Sequence, residues 1–489
     1  MKTILSLTAK DFLTGLAPTE DTQGKGLWSS APGLNPFIDG ELQGRIGVSA
    51  TPTDLTGSVV VDTPIAWVQD STGGATDYAY FIGSSGNFYS VNLSNDTVVN
   101  LRATTNRIGT LAGSSNAVAG IWIFQPKGGT RYLYYMQDDR IGRWSMATPT
   151  SYSAGEWTDN YIGVGGTVDL TADATKIVTT THHPVHTMFD EVFIGNKYAI
   201  AQMKDNGAGG ITFTTNVLDM AGDDITTAIS DDGYYLVIGT TKNKIGNTVN
   251  SPNKVLFWDK NTSSWQQEHK VFDNFISAIK NVNGQIYIVG GRGLWVTSFT
   301  QSPFKLKTLG ATDRVNFGKS TAADQLNDAI IFGNLLMTYG RVTPDAPRAF
   351  FTPLTGITGD VSTIAAGVLT NNMYVGTSGN KLYKISYSPL GYSETTQSTV
   401  YIDLGRKYAI AGYRVIFSGW QATSVFKLTA QAQDTNLIFD NVTTVKSGNS
   451  QTVYSNKQLQ TDLVQLQMIF STASFGVRRI ELLGEPINE

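Results

Sequence analysis

His182, His183 and His186 stand within five residues and make up three of the chain's four histidines. Imidazole is the commonest metal ligand and carries protons near neutrality, so this cluster is the first place to look for chemistry. Two histidines four positions apart share one ion when a helix sets them on one face, but Pro184 interrupts any such helix, and no neighbouring motif supplies further ligands. The expected role is a polar connection between β units. No metal is assigned.

Carboxylates pair at Asp138-Asp139, Asp223-Asp224 and Asp231-Asp232, and glycosidases work with two carboxylates facing each other across a substrate. Neighbours on a strand point to opposite faces, however, so adjacency in sequence does not create an acid and nucleophile pair. Ser230-Asp231-Asp232-Gly233 reads as the turn that introduces a strand. Gly290-Gly291-Arg292-Gly293 lies between two strands with no helix N-terminus behind it, which makes it a hairpin turn rather than a phosphate loop. The nucleophile elbow, the zinc-protease helix and the acidic calcium loop are absent. Trp144, Trp258 and Trp295 fall inside apolar strands, where core packing is the expected role. The sequence yields no catalytic, cofactor-binding or metal-binding residue, and the expectation is a protein that is not an enzyme.

The elements that would position such groups are β. The 489 residues include 50 glycines and 11% aromatics but only 16% charged residues, a composition suited to short strands joined by glycine turns. Lys and Arg number 36 against 40 Asp and Glu, for a net charge of −4 and no basic run to engage a nucleic acid backbone. With no cysteine, disulfides and thiolate chemistry are excluded. The apolar start after Met1-Lys2 is cut short at Lys10 and Asp11, so it is expected to belong to the mature protein. No apolar run approaches the ~20 residues that span a bilayer, and a soluble chain is expected.

One pattern recurs along the middle of the chain: an apolar strand, often a Gly, a tight turn, and a second alternating strand. Copies are centred at Gly83, about residue 137, and then Gly195, Gly239, Gly290, Gly333 and Gly376. The steps of about 43 to 58 residues fit four short antiparallel strands per unit. Radial stacking of such units gives a β-propeller over residues 61–392, with about seven blades and six or eight also compatible with the degenerate copies. Residues 1–60, rich in Gly, Pro and Thr, are expected to form an extended arm. Residues 396–489 show period-two strands with polar partners and are expected to form a separate β-sandwich of jelly-roll type that folds on its own. Pro389 and Gly391 mark the linker.

The arm with Trp28-Ser29-Ser30 and Gly33-Leu34-Asn35-Pro36-Phe37, leading into the hairpin at residues 80–93, resembles the opening of propeller-bearing virion structural proteins of tailed bacteriophages, such as the tail nozzle proteins of short-tailed phages. Asp403-Leu404-Gly405 and the finish from Phe475-Gly476-Val477 to Gly484-Glu485 are similar to galactose-binding-like sandwiches. The resemblance implies a non-enzymatic tail, neck or vertex component in the virion, a homo-oligomer contacting other virion proteins, without direct nucleic acid binding or membrane insertion. It transfers no functional residue, and the sandwich follows the propeller here, unlike in the nozzle pattern. The rival expectation is a glycan-binding host-recognition protein or propeller glycosidase, with Tyr401, Tyr413 or Trp420 stacking on sugar.

Overall fold

The computed structural model describes residues 1–12, 28–30, 42–43, 47–48, 52–57, 62–70, 77–102, 108, 120–172, 176–178, 183–220, 222, 224–242, 252–310, 323–326, 329–343, 346–354, 356–367, 372–388, 395–433, 435–443, 445, 449–471 and 475–487. The chain is all-β. Among these residues the helical pieces are Ala9–Phe12 and the 3-10 turn Ala154–Glu156, and no helix is long and apolar enough to cross a membrane.

Residues 64–102, 121–169, 185–219, 224–271, 276–308 and 323–353 each fold into a sheet whose strand order follows the chain. They form blades one to six. The first strand of each blade lies against the first strand of the next, so these strands face a common axis. The predicted hairpins are present: Tyr132–Met136 with Ile141–Trp144, and Gln285–Gly290 with Gly293–Thr297. Alternation of side chains across the pleat sends one row of each strand into the preceding gap between blades and the other row into the following one. Ile121 accordingly joins Tyr80 and Phe88 of blade one, while Trp122 and Phe124 join Val192 and Ile194 of blade three.

The ring closes through a sheet of mixed origin. Val361–Gly367, Asn372–Thr377 and Lys381–Ser388 end the repeat array, and the N-terminal strands Gly47–Val48 and Thr53–Asp54 pair with Lys381–Ser388. Its first strand touches Ala323–Leu326 on one side and Pro64–Asp70 on the other. The expectation of about seven blades is therefore corrected: six are complete in themselves. Among the described residues the last repeat supplies three strands, and its edge of N–H and C=O groups is covered by the other end of the chain.

The recurring glycine has a packing reason that is visible in blades one and five. A Cβ on Gly83 would fall 1.8 Å from Asp62 Oδ1, and one on Gly290 would fall 2.4 Å from Asp273 Oδ2. Each aspartate stands just before the blade's first strand and reaches over the glycine to the third strand. Asp62 accepts from the Tyr89 hydroxyl at 2.5 Å and Asp273 from the Trp295 indole N–H at 2.9 Å. Only a residue without a side chain leaves room for that bridge.

The C-terminal region forms a nine-stranded sheet that bends into a sandwich. The 22-residue strand Ser450–Ser471 serves both layers. Its residues 450–464 pair with Ile402–Ser418, and its residues 465–471 pair with Val425–Gln431 and Thr395–Thr399. Leu466, Met468 and Phe470 are buried between half-buried Gln465, Gln467 and Ile469, the period-two signal read from sequence.

Within the segment expected as an extended arm, the described strands are paired with distant parts of the chain. Lys2–Thr8 pairs with Gly476–Pro486, Leu42–Gln43 pairs with the same strand, and Trp28–Ser30 pairs with Thr395–Thr399. Leu7 and Trp28, both fully buried, join Tyr413, Phe426 and Phe470 in one core that also includes Phe350 of blade six. The sandwich predicted at 396–489 thus draws strands and core from the first 43 residues. The motif residues 33–37 lie outside the described residues, as does the linker at 389–394.

Candidate functional site at the mouth of the propeller channel

His183 is buried, with Nδ1 2.8 Å from the Gly195 carbonyl oxygen and Nε2 3.1 Å from that of Asp138. Burial holds its pKa below the ordinary value, against the pull of those carbonyls, and the ring stands between blade three and the turn of blade two. His186, by contrast, is partly open and its Nε2 meets Asp231 Oδ2 at 2.5 Å across the gap to blade four. That hydrogen bond, with smaller help from the Gly233 amide, holds the Asp231 carboxyl below its usual range. The two rings therefore do different work on different blades, and His182 lies outside the described residues. Among the described residues no group of three or more His, Asp or Glu side chains is placed to hold a metal.

Asp139, Asp224, Asp231 and Asp232 of the acidic pairs each have a structural partner. Asp139 bonds Arg140, and Asp224 bonds Lys242 at 2.6 Å. Asp232 accepts from the amides of Tyr234 and Tyr235, which makes it the turn residue expected before the strand Leu236–Lys242. Asp223 lies outside the described residues. Similar ties cross other seams: Arg102 to Asp159 between blades one and two, Lys280 to Asp324 between blades five and six, and Lys384 to Asp96 between the mixed sheet and blade one. Trp144, Trp258 and Trp295 are buried, and their indole N–H groups reach Glu156, the Thr262 carbonyl and Asp273. Gly290 to Gly293 forms the turn between the second and third strands of blade five.

One concave site lies where the first strands of blades one, two and three face each other, a cavity of about 400 Å³. Val68 and Gln69 come from blade one, Ile121, Trp122 and Ile123 from blade two, and Val185, His186 and Thr187 from blade three. At its rim Arg131 donates from Nη1 to Asp70 at 2.7 Å, parallel to the His186–Asp231 pair. The buried amide Nε2 of Gln69 and the buried indole Nε1 of Trp122 have no acceptor. The hairpin tips beside this end carry exposed Phe189 and Tyr234, the former with φ of 50°. A bulky aromatic in the left-handed region is uncommon and marks a turn held by its surroundings. Lys260 lies 4.6 Å from the Phe189 ring centre.

Sequence reasoning placed His186 and Asp231 in view but missed Gln69, Trp122 and Arg131. Gln69 comes from one hairpin of blade one, and Trp122 and Arg131 come from one hairpin of blade two, so no local spacing joins all three. The stacking groups proposed for the sandwich fare differently. Tyr413 is fully buried, and Trp420 packs against Phe417 and Phe475 with ring centres 4.4 and 4.9 Å away. Tyr401 is half-buried.

No family model matches the chain, and no curated protein matches it. Among solved structures the chain is similar to the computationally designed protein Ika8, with 13% identity over 67% of this chain and 97% of that one and a TM-score of 0.39. It is also similar to the WD40 β-propeller domain of Doa1, with 10% identity over 71% and 99% and a TM-score of 0.42. A third is the Cps50 (Swd1) β-propeller domain of Myceliophteria thermophila, with 11% identity over 70% and 100% and a TM-score of 0.39. The propeller is read from the order of the sheets themselves.

Proposed function

We propose that this chain is a non-enzymatic structural component of a tailed-phage virion, a tail, neck or vertex-associated protein that assembles as a homo-oligomer through protein–protein contacts. The observation that carries the reading is the lacing of the two ends of the chain into one body. Lys2–Thr8 closes the sandwich with the C-terminal strand, Thr53–Asp54 closes the propeller ring, and Phe350 shares the sandwich core. Such closure leaves few free edges and fixes the two β units to one another, which suits a part that transmits load within a particle. Of the acidic pairs, Asp231 is tied across the seam to His186 while Asp139, Asp224 and Asp232 are engaged within their own blades, which supports a scaffold over a glycosidase. The resemblance of the opening segment to phage virion proteins supplies the particle.

For glycan recognition by the sandwich, Tyr413 is buried in the core, while Trp420 and Tyr401 are partly buried. The test is the protein content of density-purified phage particles from the source lysate, with light scattering on the isolated full chain. Fixed copy number in the particles and a discrete oligomer are expected. A chain found only in the soluble fraction, as a monomer, overturns the proposal.

A further inference from the structure

We infer that a groove on the outside of the sandwich, between the strand Asn436–Ile438 and the start of Ser450–Ser471, binds one neutral pyranose unit of a glycan. Asn436, Ile438 and Asp440 face outward in period two, while Leu437 and Phe439 between them enter the core. With Tyr454, Ser455, Asn456 and Lys457 they line a cavity of about 320 Å³, at the low end of the range for small-molecule sites. Tyr454 is 59% exposed, yet its ring has a fixed seat. It pairs across the sheet with Gly412, where a Cβ would lie 2.9 Å from its Cδ1 and 3.3 Å from its Cε1. The ring therefore lies over bare backbone and buries the glycine, leaving an aromatic surface open to solvent in the same groove as exposed Ile438.

The polar lining decides the class of ligand. Among the described residues, the side chains of Asn436, Asp440, Asn456 and Lys457 make no hydrogen bond or ion pair within the chain. The two amides donate and accept, the carboxylate only accepts and the ammonium only donates. A sugar hydroxyl does both, so each of these groups finds its complement on one polyhydroxyl ring, whose C–H face matches Tyr454 and Ile438. With one acid, Asp440, against one base, Lys457, the lining lacks the net charge that selects an anion or a cation. A nucleotide also stacks on an aromatic ring, but it brings a phosphate that meets Asp440 in the same lining. The groove does not depend on the chain's place in a particle.

The test titrates the full chain with the methyl pyranosides of galactose, glucose and mannose, and with adenosine monophosphate for comparison. Binding is followed by calorimetry and by magnetisation transfer from the protein to the ring protons of the sugar. At least one pyranoside is expected to bind, with the strongest transfer to its C–H face. Tyr454→Ala should weaken it about fivefold and Asp440→Ala about tenfold, while Tyr454→Phe, which keeps the ring, stays within about twofold. Gly412→Ala should weaken it about fivefold by pushing the ring off its seat. Both Tyr454 and Asp440 are exposed, so thermal unfolding midpoints of their variants should match the native chain and separate lost binding from lost fold. No binding of any pyranoside, or binding that Tyr454→Ala leaves unchanged, overturns the site. Adenosine monophosphate binding as tightly as the best pyranoside overturns the saccharide as its occupant.

Discussion

The guanidinium of Arg102, on the last strand of blade one, holds both carboxylate oxygens of Asp159 on blade two, at 2.5 and 3.0 Å. Tyr135 donates to the same carboxylate at 2.6 Å, and the Trp157 ring lies 4.9 Å from the guanidinium carbon. Burial pushes the Asp159 carboxyl up, but the bonds from Arg102 and Tyr135 outweigh it and leave its pKa lowered. Arg102→Met leaves Asp159 and Tyr135 without their cation. Breaking a fully buried pair costs about 3–5 kcal/mol, and the half-exposed Asp159 reduces this to about 2 kcal/mol. Urea unfolding of the variant measures it; a loss below about 0.5 kcal/mol, the scale of an exposed pair, would show that the seam does not depend on this contact.

His183 makes stability depend on pH. Its folded-state pKa lies below the ordinary histidine value because burial disfavours the charged ring. The unfolded chain therefore takes up a proton at a pH where the folded chain does not, and stability is complete above about pH 6.5 and falls as pH drops below it. For one proton the slope approaches about 1.4 kcal/mol per pH unit. Unfolding midpoints from pH 7.5 to 5 should fall for the native chain and fall less for His183→Gln, whose amide can still donate to one of the two carbonyls. Parallel profiles would mean that His183 titrates alike in both states.

The pairing of Lys2–Thr8 with Gly476–Pro486 bears on the expectation that residues 396–489 fold alone. Without residues 1–43 that fragment lacks its edge strand and the fully buried Leu7 and Trp28. The isolated fragment should show no cooperative transition by circular dichroism, and adding a peptide of residues 1–43 should restore one. In the full chain, Leu7→Ala should cost about 2–4 kcal/mol through the cavity it leaves. A fragment that unfolds cooperatively without the peptide would return the sandwich to the C-terminal residues alone.

What could be read in advance follows from what alternation encodes. Leu466, Met468 and Phe470 announce a half-buried strand because the pleat has period two, and the hairpin around Gly83 announces itself because both strands and the turn are contiguous. Strand partners far apart in the chain are not encoded in this way. The alternation Ile4, Ser6, Thr8 against Leu5, Leu7 fits any sheet edge, and nothing in it names Ile480 or Leu482 as the neighbours. The cavity was hidden for the same reason: Gln69 meets the hairpin of Trp122 and Arg131 only through the ring. Asp62 and Asp273 did leave a signal, an aspartate before the first strand of a blade whose second strand ends in Gly.

That signal yields the last prediction, at blade five. Asp273 Oδ1 accepts from the amides of Asn274 at 2.7 Å and Arg292 at 2.9 Å, while Oδ2 accepts from Trp295 Nε1 at 2.9 Å. Gly290 sits directly beneath, where a Cβ would lie 2.4 Å from Oδ2 and 3.1 Å from the Asp273 Cβ. Gly290→Ala must therefore push the carboxylate away from its donors, at about 1–3 kcal/mol by the scale of overpacking. Asp273→Ala removes the same bonds directly and leaves the indole N–H buried without a partner, at about 2–3 kcal/mol. Once the carboxylate is gone, the new methyl meets only a tolerable contact, so the double variant should be no more than about 0.5 kcal/mol worse than Asp273→Ala alone. Urea unfolding of the four proteins in this cycle gives the coupling. Costs that simply add would show that the glycine is retained for its backbone and not for the space that Asp273 occupies.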